Sequence, residues 1–263
     1  MRLSLPKKYN QKIIRACREF ALLDPGDRVL VGFSGGKDSA FLLFALAQLV
    51  KSGLFQAELA AVTVDLGFEP PLDPRPLQEF CDRLGVKFTY LSTEIARVVA
   101  EKKEHCAYCS HLRRGCMNRF AVAQGFNKIA LAHHHDDAVE TFLMSIIYSG
   151  QIRTFLPKTY LDRSQVTVIR PLVYLREHEI IAARQFLPYQ PAANNCPFAG
   201  STYRQKVKEL IAKLNTENKW VYPNLAKAMR AGRPVELWPP ELSGRPEKKR
   251  NCPQIETLDD QCV

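Results

Sequence analysis

Apolar residues fall along the chain in two alternating arrangements: short solid runs, and longer stretches in which they recur every three or four positions. Solid runs of this length suit strands buried on both faces, and the spaced stretches suit helices that cover them. The runs predict strands at Arg28–Phe33, Leu59–Asp65, Val86–Leu91, Lys128–Ala132 and Val166–Ile169. The spaced stretches predict helices at Lys37–Val50, Pro76–Leu84, Glu94–Lys103, Cys109–Ala123, Asp136–Tyr148 and Glu177–Phe186. Gly85 and Gly125 stand where two of these helices should stop. Alternation of strands and helices predicts an α/β fold, a parallel sheet with helices on both faces, whose ligands bind beyond the carboxyl ends of the strands.

The pattern divides the 263 residues into four stretches: a basic helical segment over 1–27, the alternating domain over 28–187, an extension over 188–232 and a loose tail over 233–263. In the extension, Tyr203–Leu214 reads as a basic amphipathic helix and Trp220–Ala231 as another. Beyond Gly232, Pro, Lys, Arg and Glu crowd together without periodicity. No apolar run approaches the ~20 residues that span a bilayer, and no apolar segment follows the basic residues of Met1–Asn10. A cytoplasmic protein without a membrane partner is the expectation.

Charge adds a partner. Lys and Arg outnumber Asp and Glu by 37 to 27, a formal net charge of +10. The excess is clustered, at Lys7 to Arg18, Arg113 to Arg119, Arg204 to Lys208 and Lys248 to Arg250. Such clusters suit a polyanion, because each neutralised phosphate releases counterions. A merely solvated basic surface accounts for the same numbers.

The chemistry concentrates at the predicted strand ends. Strand Val29–Phe33 runs straight into Ser34-Gly35-Gly36-Lys37-Asp38-Ser39, and a helix begins at once. Glycines allow a sharp turn that brings backbone N–H groups against phosphate oxygens, and the helix N-terminus adds partial positive charge. Ser34 and Ser39 supply hydroxyls, Lys37 a cation, and Asp38 a carboxylate for Mg²⁺ or for capping. A Walker A loop would place Ser or Thr directly after the lysine, where Asp38 stands.

Eight cysteines are spaced unevenly. Cys17 and Cys81 fall on apolar helix faces, and Cys252 and Cys262 in the tail. Cys106 and Cys109 form a C-x-x-C, and Cys196 precedes a proline. Three thiolates suit an iron–sulfur cluster with one open iron, part of a zinc site, or a redox dithiol, and spacing alone leaves these open. Cys116 is a rival by proximity, yet in a helix it would lie about two turns beyond Cys109. His133, His134, His135, Asp136 and Asp137 follow the fourth strand, where they suit either a metal site or a capped helix start.

The loop Ser34 to Ser39 resembles the S-G-G-x-D-S signature of the PP-loop (N-type) ATP pyrophosphatase superfamily. Three further segments are similar to TtcA-type tRNA 2-thiocytidine synthetases: His105 to Gly115, the run Ala132 to Asp137, and Arg170-Pro171-Leu172 with Tyr174, Glu177 and Ile180. The resemblance implies cleavage of ATP between its α and β phosphates, with AMP transferred to a substrate oxygen. It implies that Asp65 and His133 lie near the nucleotide, with Lys37, Asp38 and Asp136 in catalysis. It also implies a 4Fe-4S cluster held by Cys106, Cys109 and Cys196, and tRNA contacted by Arg113 and Arg114. A sulfur donor such as a cysteine desulfurase or free sulfide is then required, and a homodimer is allowed. Thiolation of uridine, lysidine formation, and a nucleotide-binding redox or zinc protein are the competing functions.

Overall fold

The computed structural model describes residues 5–102, 105–192, 196–198, 200 and 202–230. The 233–263 tail, with Cys252 and Cys262, lies outside the described residues. Helix α1 (Lys7–Glu19) precedes β1 (Asp27–Gly32), α2 (Lys37–Lys51), β2 (Ala57–Asp65), α3 (Arg75–Leu84) and β3 (Lys87–Ser92). Helices α4 (Ile95–Ala100) and α5 (His105–Ala123) lead to β4 (Lys128–Ala130) and α6 (His135–Ser149). Strands β5 (Lys158–Leu161) and β6 (Val166–Ile169) form a hairpin before α7 (Glu177–Ala183), which runs on as one 3-10 turn to Phe186. Helices α8 (Tyr203–Glu217) and α9 (Val221–Ala228) complete the described chain.

The six strands lie in the order β3-β2-β1-β4-β6-β5, all parallel except β5, which runs antiparallel to β6. The expected parallel sheet therefore carries an antiparallel edge. Strand β5 escapes sequence reading because Lys-Thr-Tyr-Leu has no apolar run. An edge strand needs none, since only one side must pair.

Alternation along β1 explains the two-faced core. Val29 and Val31 point to one face, where α1, α2, α3 and α7 meet them through Ile13, Phe41, Leu77 and Ile180. Leu30 points to the other, against Met117 and Ala121 of α5. Helix α2 is buried nearly all round, as its unbroken apolar sequence requires, so it is the central helix of its layer. The extension packs on α6, where Val139 meets Val207, Ile211 and Tyr222. At α3, Gly85 takes the left-handed conformation (φ +71°) that ends the helix as the sequence suggests.

Strand order reverses between β1 and β4, so loops leaving their carboxyl ends diverge and open a crevice. The Ser34–Ser39 loop follows β1 and the histidine–aspartate run follows β4.

Candidate active site

The loop after β1 turns on a left-handed glycine. Gly35 has φ +77°, and a side chain there would meet the Ala192 Cβ at 3.2 Å. The Gly35 carbonyl is turned away from the crevice, accepting from the Tyr189 hydroxyl at 2.9 Å and the Ala192 N–H at 3.0 Å. Ser39 donates to the Gly36 carbonyl at 3.0 Å, and its hydroxyl lies 3.2 Å from that of Ser34. Beneath the loop, Thr63 donates to the Phe33 carbonyl, fixing where the strand ends.

Lys37 and Asp38 begin α2 and are paired with each other at 2.8 Å. Lys37 also meets Glu177, the first residue of α7, at 3.1 Å. Burial works against the charge of Lys37, but the two carboxylates outweigh it and raise its pKa. Asp65 closes β2 by accepting from the Tyr90 hydroxyl at 2.5 Å and the Gly67 N–H at 3.2 Å.

The run after β4 separates into distinct duties. His134 caps α6 reciprocally with Asp137: the Asp137 N–H reaches the His134 ring at 3.4 Å, and Asp137 accepts the His134 N–H at 2.9 Å. His135 bonds the Tyr222 hydroxyl at 2.6 Å. Asp136 holds Arg176 and the Glu177 N–H, and Asp137 meets Arg204 of α8 at 3.3 Å. His133 is different. Its Nδ1 is enclosed and has no hydrogen-bond partner, and its ring lies against Phe155 at 5.1 Å. Burial, then the charges of Arg170, Arg204 and Arg113, push its pKa down to about 3, so the ring is neutral.

Helix α5 starts at the same end of the sheet, because it must run from the carboxyl end of β3 back to the start of β4. Its first turn carries Cys106, which is exposed, and Cys109, which is half-buried. Burial raises the pKa of both thiols, and the charge of Cys196 raises each further, which makes Cys196 a neighbour of the pair. Arg113, one turn on, acts in the opposite sense on Cys109. The segment carrying Cys196 is anchored by Phe198, stacked on His105 at 4.0 Å with an 11° interplanar angle. Cys116 is buried further along α5, against Ile95 and Val99. Among the described residues, no three His, Cys, Asp or Glu side chains close into a ready-made metal-binding group. Thiols are nonetheless the soft donors an iron–sulfur cluster requires.

The structure thus gathers Ser34 to Ser39 and Glu177 around one loop, and the three cysteines with Arg113 around α5. Asp136 sits one step removed, in contact with Arg176 and Glu177. Sequence reading gave Tyr189 and Arg176 no role and saw Arg204 and Lys208 only as part of a basic cluster; their contacts span 31 to 154 positions of chain and leave no local signal. Glu177 lay in a quoted segment but without a duty.

The PP-loop domain family matches residues 6–190. The chain is 38% identical over 242 residues to the tRNA-cytidine(32) 2-sulfurtransferase of Coxiella burnetii (strain RSA 493 / Nine Mile phase I), covering 90% of this chain and 94% of that protein. It is 39% identical over 241 residues to the enzyme of the same name from Legionella pneumophila (strain Philadelphia 1), covering 89% and 84%. Among solved structures, the U34-tRNA thiolase NcsA from Methanococcus maripaludis with its 4Fe-4S cluster shares the fold, with a TM-score of 0.69 at 21% identity over 85% of this chain and 76% of that one. No helix among the described residues is long and apolar enough to cross a membrane.

Proposed function

Because the chain belongs to the PP-loop family that includes the tRNA 2-thiocytidine sulfurtransferases, we propose that it replaces the C2 oxygen of a tRNA cytidine, in the anticodon loop, with sulfur. It is an ATP-dependent tRNA-thiolating enzyme; the target base, the cluster ligands and the course of the reaction are our reading. One observation carries that reading: the amide-lined loop after β1 and the three thiols around α5 open at the same end of the sheet.

The amides of Ser34 to Ser39 and the Lys37 ammonium would receive the triphosphate, with Asp65 and His133 beside the nucleotide. Mg²⁺ keeps most of its waters and binds through one or two carboxylates plus phosphate oxygens, and Asp38 is the carboxylate we assign to it. The C2 oxygen attacks the α-phosphorus, and the bond to the bridging oxygen breaks, releasing pyrophosphate. Sulfur then adds at C2, and AMP departs with the original oxygen. A neutral His133 beside this step accepts or donates one hydrogen bond without adding charge. Asp136 acts by fixing Glu177, and so Lys37.

We assign the 4Fe-4S cluster to Cys106, Cys109 and Cys196. These thiolates would hold it, and when bound it would supply iron chemistry suited to handling sulfur. Arg113 and Arg114 lie on α5 beyond the cysteines, where an RNA backbone would need cations. The sulfur comes from free sulfide, or from a cysteine desulfurase's persulfide whose outer sulfur a second thiol reduces to the sulfide level as a disulfide forms, and the setting is the cytoplasm, where tRNA and reduced thiols occur together.

The decisive experiment is nucleoside mass spectrometry of tRNA from cells lacking the protein. Loss of 2-thiocytidine alone is expected. Loss of a 2-thiouridine instead would move the target base, and an unchanged profile would defeat thiolation as its cellular role.

A further inference from the structure

Glu177 joins two lysines that come from distant parts of the chain. Its Oε1 meets Lys37 of the phosphate loop at 3.1 Å, and its Oε2 meets Lys208 of α8 at 2.5 Å. One carboxylate therefore holds two ammonium groups side by side, and Lys208 feels the charge of Lys37. Burial alone would raise the Glu177 pKa, but Lys208 and Lys37 overcome it and hold the carboxyl at about 2. Glu177 is thus ionised where it faces the two lysines.

The surroundings make this placement rigid. Asp136 accepts the Glu177 N–H at 2.7 Å, and both its oxygens are engaged by Arg176, so the start of α7 cannot drift. Helix α8 is fixed by Val207 and Ile211 in the small core with Val139 and Tyr222. One turn before Lys208, Arg204 grips Glu140 at 3.1 Å and Asp137 at 3.3 Å. Lys208 lies beyond residue 190, where the PP-loop family match ends. The C-terminal extension, whose Tyr189 and Ala192 already bond the Gly35 carbonyl, thus also delivers a cation beside the loop.

A lysine ammonium has three N–H donors, and contact with Glu177 uses only part of them. Two ammoniums at a glycine-rich loop that opens a helix suit a group with several negative oxygens close together. We propose that Lys208 is a second polyphosphate-binding lysine, and that Glu177 is the positioning residue that sets it beside Lys37. The ligand class is the β- and γ-phosphates of a nucleoside triphosphate. The inference rests on the ATP reading above and adds a residue and a division of labour to it.

Calorimetric titration of the full chain with the α,β-methylene analogue of ATP, and separately with AMP, tests it in the presence of Mg²⁺. Lys208→Gln is expected to weaken the triphosphate analogue about fivefold, the factor for roughly 1 kcal/mol, and to leave AMP unchanged. Lys208→Arg should retain most of the affinity. Glu177→Gln should also weaken the analogue, and adding Lys208→Gln to it should cost less than the two single losses combined, because the residues act as one unit. Unchanged analogue affinity in Lys208→Gln would overturn the proposal. So would equal losses for analogue and AMP, the signature of a purely structural helix contact. A wild-type chain that binds AMP but no triphosphate would remove the ATP reading and this inference with it, a result distinct from failure of the variants alone.

Discussion

Asp136 receives Arg176 on both of its oxygens, at 3.0 and 3.1 Å from Nε, and the same carboxylate accepts the N–H of the next residue, Glu177. The arginine also lies over the Tyr222 ring at 3.4 Å, so this pair joins α6, α7 and α9 at one point. Removing one partner leaves a largely enclosed charge unanswered. Asp136→Asn is expected to cost about 2 kcal/mol of stability, a fall in Tm of roughly 4–8 °C for a chain of this size. Arg176→Met should cost a similar amount, and the double variant less than the two together. Thermal melting of the three variants decides it; additive losses would show that the pair does not act as a pair.

The phosphate loop makes a second demand, on Gly35. Its left-handed conformation already excludes a side chain at a cost of about 1–2 kcal/mol, and the Ala192 Cβ stands 3.2 Å from where a methyl would be. Gly35→Ala must therefore either displace the 189–192 segment or rotate the loop, and both move the amides. ATP affinity is expected to fall by about tenfold or more, corresponding to that strain, while the far-ultraviolet spectrum stays unchanged. Wild-type affinity in a folded Gly35→Ala chain would mean that the loop amides do not bind phosphate.

His133 gives a pH dependence of definite sign. Burial first, and then Arg170, Arg204 and Arg113, depress its pKa to about 3, far below the ordinary histidine value. The unfolded chain thus takes up a proton that the folded chain refuses. Stability is full above the unfolded value of about 6.5 and falls as pH drops below it, by up to ~1.4 kcal/mol per pH unit. His135 is also depressed, mainly by burial, and contributes in the same direction. Glu177 contributes only at lower pH, since its carboxyl is held at about 2. Urea midpoints between pH 7.5 and 5.0 should therefore fall in the wild type and fall less steeply in His133→Gln. Parallel slopes would contradict a buried neutral imidazole at this position.

The contrast between Lys37 and Lys208 shows what the sequence could disclose. Lys37 stands in a six-residue loop between an apolar strand and an apolar helix, so its neighbours in sequence are its neighbours in space. Lys208 sits in an ordinary basic helix, and its duty arises only because α8 folds onto α6 and brings it to Glu177. The same logic separates β1, a solid apolar run, from β5, whose four residues need only one paired edge. The anchoring of Cys196 is likewise invisible in sequence. It depends on the Phe198 ring stacking on His105, across a long separation with no periodic signal.

That anchoring leads to the cysteine prediction. Cys106, Cys109 and Cys196 are mutual neighbours, whereas Cys116 is buried in the contact of α5 with Ile95 and Val99. Seven helical residues separate it from Cys109, a rise of about 10 Å. In chains purified anaerobically, Cys106→Ala, Cys109→Ala and Cys196→Ala should each lose the visible absorption and most of the iron. Cys116→Ala should keep both and lose only about 1 kcal/mol of stability, the cost of a small buried side chain. Phe198→Ala should fall between them, with cluster retained but released faster on exposure to air, because the segment holding Cys196 has lost its stack. Iron retained in Cys196→Ala but lost in Cys116→Ala would exchange the two ligands. A colourless wild type holding zinc would replace the cluster by a different metal.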